Sequence, residues 1–218
     1  MIDYIAFGIL LDDIVTWRGE VTMGVLGGGG VQTAWGMALA AREGKGVGLV
    51  GGVHEGEDVA PFAPLRAVGV DVSGVRRSAT PTARAWQLFE ADESRTQVWR
   101  VPPPVLGEQL RRRWDDLPPT YREARHFHWG IHPEQPDLDF ARQLTGMGKT
   151  VSLEAFRAPD QPLTPDALAA IMQCCAVFSA GLREAQVMAG SEDTEVILAR
   201  FGAAGCRLLT LRMGDAGS

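Results

Sequence analysis

The sequence predicts an α/β protein with a mostly parallel central sheet and a small β-flap. Three observations lead there. From Arg125 onward, strand-like and helix-like stretches alternate, the pattern of βαβ units that feed a parallel sheet. Two stretches, residues 13–26 and 82–101, fall outside that alternation and read as extended flap (lid) segments. Of the 218 residues, 45% are apolar, enough for an ample core in a single domain.

Taken in order, residues 4–8 are a short apolar strand ending in Gly8. Residues 30–42 are helical, with Ala34, Ala38, Ala40 and Ala41 small enough for close packing. A strand at 46–50 is followed by a Gly51-Gly52 turn. Residues 58–68 are helical and tolerate Pro61 near the start. The arms 82–90 and 96–101 flank the polar stretch Ala91-Asp92-Glu93-Ser94-Arg95, which makes a hairpin, and Pro102-Pro103-Pro104 stops it. Strands at 125–128 and 150–153 bracket a helix at 138–146. Thr164 caps a helix at 165–173. Strand 176–179, helix 183–188 and helix 194–201 lead to a buried strand at 208–212. The turn Met213–Ser218 is expected to lead into further structure.

Net charge is −6, which argues against a nucleic-acid-coating surface. No apolar run approaches ~20 residues, so no membrane span is expected. Met1-Ile2-Asp3-Tyr4 has no basic stretch before an apolar one, unlike a secretory signal. The three cysteines, Cys174, Cys175 and Cys206, form no disulfide framework and fit a reducing cytoplasm.

The most conspicuous motif is the run Gly27-Gly28-Gly29-Gly30 at the start of a helix. Glycine lets backbone approach a ligand closely, and the first N–H groups of a helix are free to bind hydroxyls or anions. A dinucleotide fingerprint does not fit, because the run does not directly follow the first strand and Val47 stands where an acid would be needed. A P-loop does not fit either: Gln143 takes a required glycine position, and Gly148-Lys149 precedes a strand. His126, His128 and His132 form H-x-H-x-x-x-H, a spacing open to a metal or to ordinary hydrogen-bonded histidines. No metal ligand is assigned. Adjacent Cys174 and Cys175 read as packing. Asp13, near the glycine run, is placed to accept hydrogen bonds from sugar hydroxyls. Trp17, Trp86 and Trp99 are open to three roles: covering an apolar ring face, packing the flap, or forming a dimer contact.

In this order the motifs resemble the ribokinase-like (PfkB) carbohydrate kinases, across essentially the whole chain. The matching pieces are Gly8 with Asp13, Gly27–Ala34, Gly44, Gly51-Gly52-Val53, Gly69-Val70-Asp71, Arg95-Thr96, Glu154 with Arg157, Gly181-Leu182-Arg183-Glu184, and Gly214-Asp215-Ala216-Gly217. Each is weak alone; their order carries the signal. The resemblance implies a Rossmann-type three-layer sandwich of the ribokinase kind. It also implies transfer of the γ-phosphoryl of ATP, with Mg²⁺, to a hydroxyl of a small-molecule sugar or nucleoside. It assigns Asp13, Gly28, Gly29, Gln32 and Glu154 to the acceptor. Glu184 goes to Mg²⁺ through water, and Gly214 and Gly217 go to the nucleotide. A homodimer through the lid is a further expectation.

The chain departs from the family pattern at four points. Gln32 and Gly181 stand where the family has Asn, and His54-Glu55-Gly56 replaces Gly-x-Asp. No Gly-Ala-Gly-Asp-type loop, the source of the catalytic base, occurs in the 218 residues. The reading is therefore a divergent member whose domain is incomplete, with catalytic residues expected beyond Ser218. The 218 residues alone are expected to be inactive and prone to associate. The alternatives are a non-catalytic ligand-binding relative and, more remotely, a histidine-metal hydrolase.

Overall fold

The computed structural model of the chain describes residues 1–42, 44–92 and 95–218. Glu93 and Ser94, in the expected hairpin turn, lie outside the described residues. The chain forms two units, Met1–Ala124 and Arg125–Ser218.

In the first unit, β1 (Ile2–Phe7) is followed by β2 (Leu10–Thr16), β3 (Val21–Gly27), α1 (Gly29–Ala40) and β4 (Gly46–His54). Then come α2 (Ala63–Ala67), β5 (Val70–Ser78), β6 (Arg84–Phe89), β7 (Arg95–Trp99), α3 (Pro103–Gln109) and α4 (Pro119–Arg122). β4 pairs in parallel with β1 on one side and β5 on the other. Successive side chains of a strand face opposite ways, and β4 shows the layering that results. Val47, Leu49 and Val53 join Val31 and Ala34 of α1 and Leu65 of α2 in one core. On the other face, Gly48 and Gly74 leave room for the Tyr121 ring from α4, while Gly52 lies under Gln109 of α3. The Tyr121 hydroxyl donates to Asp71 O at 2.7 Å, so the buried ring carries no orphan polar atom.

That arrangement corrects the expected Gly51-Gly52 turn. Both residues lie inside β4, paired with Val75 and Arg76. They are glycine because a side chain there would strike Ile9 or Gln109. The expected helix at 58–68 is a 3₁₀ turn at Ala60–Phe62 followed by the short α2. Pro102–Pro104 do end the hairpin, but Pro103 and Pro104 also open α3, where their missing N–H groups cost nothing.

The flap segments form a separate four-stranded sheet in the order β3-β2-β6-β7. β2 is antiparallel to β3 and parallel to β6, and β6 is antiparallel to β7. A bulge in β3 opposite Asp13 shifts the register between Asp12 and Ile14.

The second unit holds β8 (His126–Ile131), α5 (Asp139–Gly146), β9 (Thr150–Ala155), α6 (Pro165–Met172), β10 (Val177–Gly181), α7 (Leu182–Ala189), α8 (Thr194–Ala203) and β11 (Leu209–Arg212). All four strands are parallel, in the order β11-β10-β9-β8. This is the βαβ alternation the sequence predicts, and Thr164 caps α6 by accepting from Ala167 N. Register places Phe127, Trp129, Val151, Leu153, Phe178 and Ala180 on one face, all buried. Phe140 of α5 meets Trp129 there, and Phe201 of α8 meets Phe178. The other face carries His126, His128, Thr150, Ser152, Glu154, Ser179 and Arg212.

Cys174 and Cys175 are buried and Cys206 half-buried, all unbridged, and burial pushes the Cys175 thiol up to about 12. No helix among the described residues is long and apolar enough to cross a membrane.

Candidate functional site

The candidate residues fall into one group in each unit. In the first unit, the glycine run is shaped largely by its own surroundings. Gly27 ends β3 under the Asp12 carboxylate, and Gly28, at φ +90°, caps α1 against Leu10. Gly30 presses on the carbonyls of Phe7 and Gly8. A side chain at any of the three would collide. Gly29 is the exposed member, and Gln32, one turn into α1, is exposed as well. α1 has no side-chain cap and no acid in its first turn.

Asp13 points from β2 to the face of the small sheet that it shares with Arg84 of β6. It is 0% exposed. Its Oδ1 accepts from Gly24 N at 2.8 Å and Arg84 Nη2 at 2.7 Å. Its Oδ2 accepts from Arg84 Nε at 2.7 Å and from Arg100 Nη1. An ionised carboxylate offers about four acceptor positions, and all four are filled. The Arg84 hydrogen bonds outweigh burial, and with Gly24 and Arg100 they hold the Asp13 carboxyl well below the usual carboxylate range. Arg100 also stacks over the Trp86 ring at 4.7 Å. Sequence reasoning missed Arg84 and Arg100. The signal was indirect: an acid buried on a strand requires a positive partner, and Arg84 is a same-face residue on the neighbouring strand.

On the opposite face, Gln87 Nε2 donates to Asp12 Oδ1 at 2.7 Å. Of the other tryptophans, Trp17 is exposed beneath the Arg18 guanidinium and Trp99 lies at the sheet's outer edge.

In the second unit, Glu154 sits near the carboxyl end of β9. Its Oε2 accepts from Arg212 Nη1 at 3.0 Å, and the same nitrogen donates to Ser179 Oγ at 2.8 Å. Burial of Glu154 opposes ionisation, but His128 and Arg212 outweigh it and hold the carboxyl below its ordinary range. His128 Nδ1 is 2.9 Å from Ser152 Oγ, while its buried Nε2 has no hydrogen bond and lies 3.8 Å from Glu154 Oε1. Arg157 pairs with exposed Asp160.

Glu184, in the first turn of α7, folds its carboxylate back over Gly181. An Asn side chain at 181 would need that space, so the glycine and the carboxylate position go together. Gly214 and Gly217 bound an exposed 3₁₀ turn closed by Met213 N–H donating to Gly217 O at 2.8 Å. Both have positive φ, and the space above each is open.

The three histidines do not form a metal centre. His132 Nδ1 accepts from Glu134 N, and its ring sits edge-on to Phe156. Among the described residues no three His, Cys, Asp or Glu side chains cluster to hold a metal.

These two groups sit on a fold whose class is now defined: parallel α/β sheets with a small accessory sheet, the ribokinase-like architecture. Solved structures that match it include several kinases. A pyrophosphate-dependent kinase in the ribokinase family, complexed with a pyrophosphate analog and myo-inositol, is 19% identical. It matches over 98% of this chain and 73% of its own, at a TM-score of 0.73. The Xylella fastidiosa fructokinase with bound ATP is 18% identical over 99% of this chain and 69% of its own, at 0.69. Aminoimidazole riboside kinase from Salmonella enterica, complexed with aminoimidazole riboside and an ATP analog, is 18% identical over 97% and 70%, at 0.67. No protein-family model matches the chain, and no curated protein matches it at a significant level.

Proposed function

We propose that the chain is part of a PfkB-type carbohydrate kinase, transferring a phosphoryl group from ATP to a hydroxyl of a sugar or nucleoside. The observation that supports this best is the ordered motif series, Gly8 through Gly217, lying on a fold shared along almost the whole chain with kinases of that kind. In this reading Gly28, Gly29, Gln32 and the Asp13 cluster hold the acceptor. The small sheet is the lid. The exposed Trp17, Val21 and Met23 on it support a homodimer through that surface.

The residues present fit the nucleotide and its metal. The open space above Gly214 and Gly217 suits a nucleotide lying against backbone. Glu184 offers one carboxylate, which suits Mg²⁺ held mainly by phosphates and water. MgATP supplies the transferred phosphoryl group and neutralises its charge; this chain's residues bind and orient. Three unbridged thiols are consistent with a cytoplasmic setting.

The 218 residues contain no Gly-x-Gly-Asp segment to supply a base. We therefore expect binding of sugar and MgATP without turnover, measured by calorimetry beside a coupled kinase assay. Glu184→Gln should weaken MgATP about tenfold, the loss of one charge-assisted contact, and leave sugar affinity unchanged. Failure to bind MgATP at millimolar concentration would refute the kinase reading. The filled lone pairs of Asp13 and the glycine at 181 favour a second reading, a ligand-binding relative without catalysis. Sugar binding without MgATP binding would select it.

A further inference from the structure

The Asp13 cluster carries one carboxylate and two guanidinium groups. Arg84 is bidentate on Asp13 and also lies in the field of the Glu57 carboxylate. Arg100 brings a second guanidinium group to Asp13. It gives one nitrogen to Asp13, and its guanidinium carbon sits 4.7 Å from the centroid of the Trp86 ring. Both arginine side chains are 34% exposed while Asp13 is sealed. What this face offers is therefore directed N–H donors from two guanidinium groups, with no acceptor left on Asp13. Such a surface suits an oxyanion, which guanidinium groups bind through paired charge-assisted bonds. It suits a neutral hydroxyl poorly, because the carboxylate that would orient it is used up. The nearest acid on β2, Asp12, faces the other side of the sheet and is bonded to Gln87.

We infer that the acceptor taken by this chain carries an oxyanion, a carboxylate or a phosphate, received by Arg84 and Arg100. The inference rests on the acceptor role proposed above for this cluster. Three ligands on one five-carbon frame test it: ribose, ribonate and ribose 5-phosphate, with fructose, gluconate and fructose 6-phosphate as the six-carbon set. Calorimetric titration into the purified chain should show one anionic member binding at least about tenfold tighter than its neutral counterpart, the scale of one charge-assisted contact. That preference should shrink as salt rises. Which anion is preferred identifies the group. Arg100→Gln should reduce the anion-to-neutral ratio toward one, and Arg100→Lys should retain most of it. A melting curve for each variant shows that it is folded, and Arg100→Lys keeps the test open if Arg100→Gln is not.

Neutral sugars binding as tightly as their anionic partners would overturn the inference and leave the acceptor site standing. An anion preference that survives Arg100→Gln would overturn it too. Binding of none of the six would overturn both the inference and the acceptor reading.

Discussion

Asp13 and Glu154 are both strand carboxylates paired with arginine, one in each unit, and they are built to opposite ends. Asp13 is sealed, and all four of its acceptor positions are filled by two arginines and a backbone N–H. Glu154 is 16% exposed and is held by one arginine that is itself 46% exposed. Beside it the His128 Nε2 is buried without a hydrogen bond. The first cluster has its carboxylate fully bonded and leaves guanidinium N–H donors over. The second has slack: a buried ring nitrogen without a hydrogen bond and a half-exposed arginine on a polar sheet face. A preorganised charge serves recognition, whereas a half-satisfied cluster can change partners.

Asp13→Asn should separate the two most strongly. It strands two guanidinium groups around a buried neutral amide, a loss of about 3 kcal/mol in urea unfolding. A loss below about 1 kcal/mol would erase the contrast. Acid should reveal the same difference. Folding lowers the Asp13 pKa, so its stabilisation is complete above the ordinary carboxylate value of about 4 and is lost as pH falls toward the folded value. The urea midpoint should drop below about pH 4 in the parent chain and drop less steeply in Asp13→Asn.

The glycines extend the comparison. Gly30→Ala drives a methyl into the fixed carbonyls of Phe7 and Gly8 and should cost about 2 kcal/mol or more. Gly181→Ala meets only the end of the Glu184 side chain, which can swing away. Its melting temperature should hardly change while MgATP affinity does. Smallest of the stability losses that breaking a carboxylate contact should give is Glu154→Gln, about 1 kcal/mol for a lost contact with a half-exposed arginine. An equal loss at 13 and 154 would mean the two clusters are alike after all.

Much of this fold was legible in the sequence. The βαβ alternation after Arg125, the cap at Thr164 and the hairpin all depend on local periodicity and turn chemistry, which a chain displays directly. β5, α3 and α4 were not legible. β5 alternates weakly because Gly74 makes room for Tyr121, and its polar residues sit at the sheet's edge. Pro103 and Pro104 signal a stop as readily as a helix start. Gly51-Gly52 looks like a turn until the side chains of Ile9 and Gln109, distant in sequence, occupy its space. For the same reason Asp13 could be singled out while its partners could not: Arg84 and Arg100 lie 71 and 87 residues away. The glycine run was visible, but its main cause was not. Three of its four members are fixed by the protein's own packing, and Gly29 alone lies open.

The most direct test of the central claim is amide hydrogen exchange with the sugar and sugar-anion set, and separately with MgATP. The acceptor should slow exchange in residues 24–32, 84–92 and 95–100, and MgATP should slow it in residues 181–184 and 213–217. Protection by neither ligand, or an acceptor that protects only segments outside the first group, would contradict it.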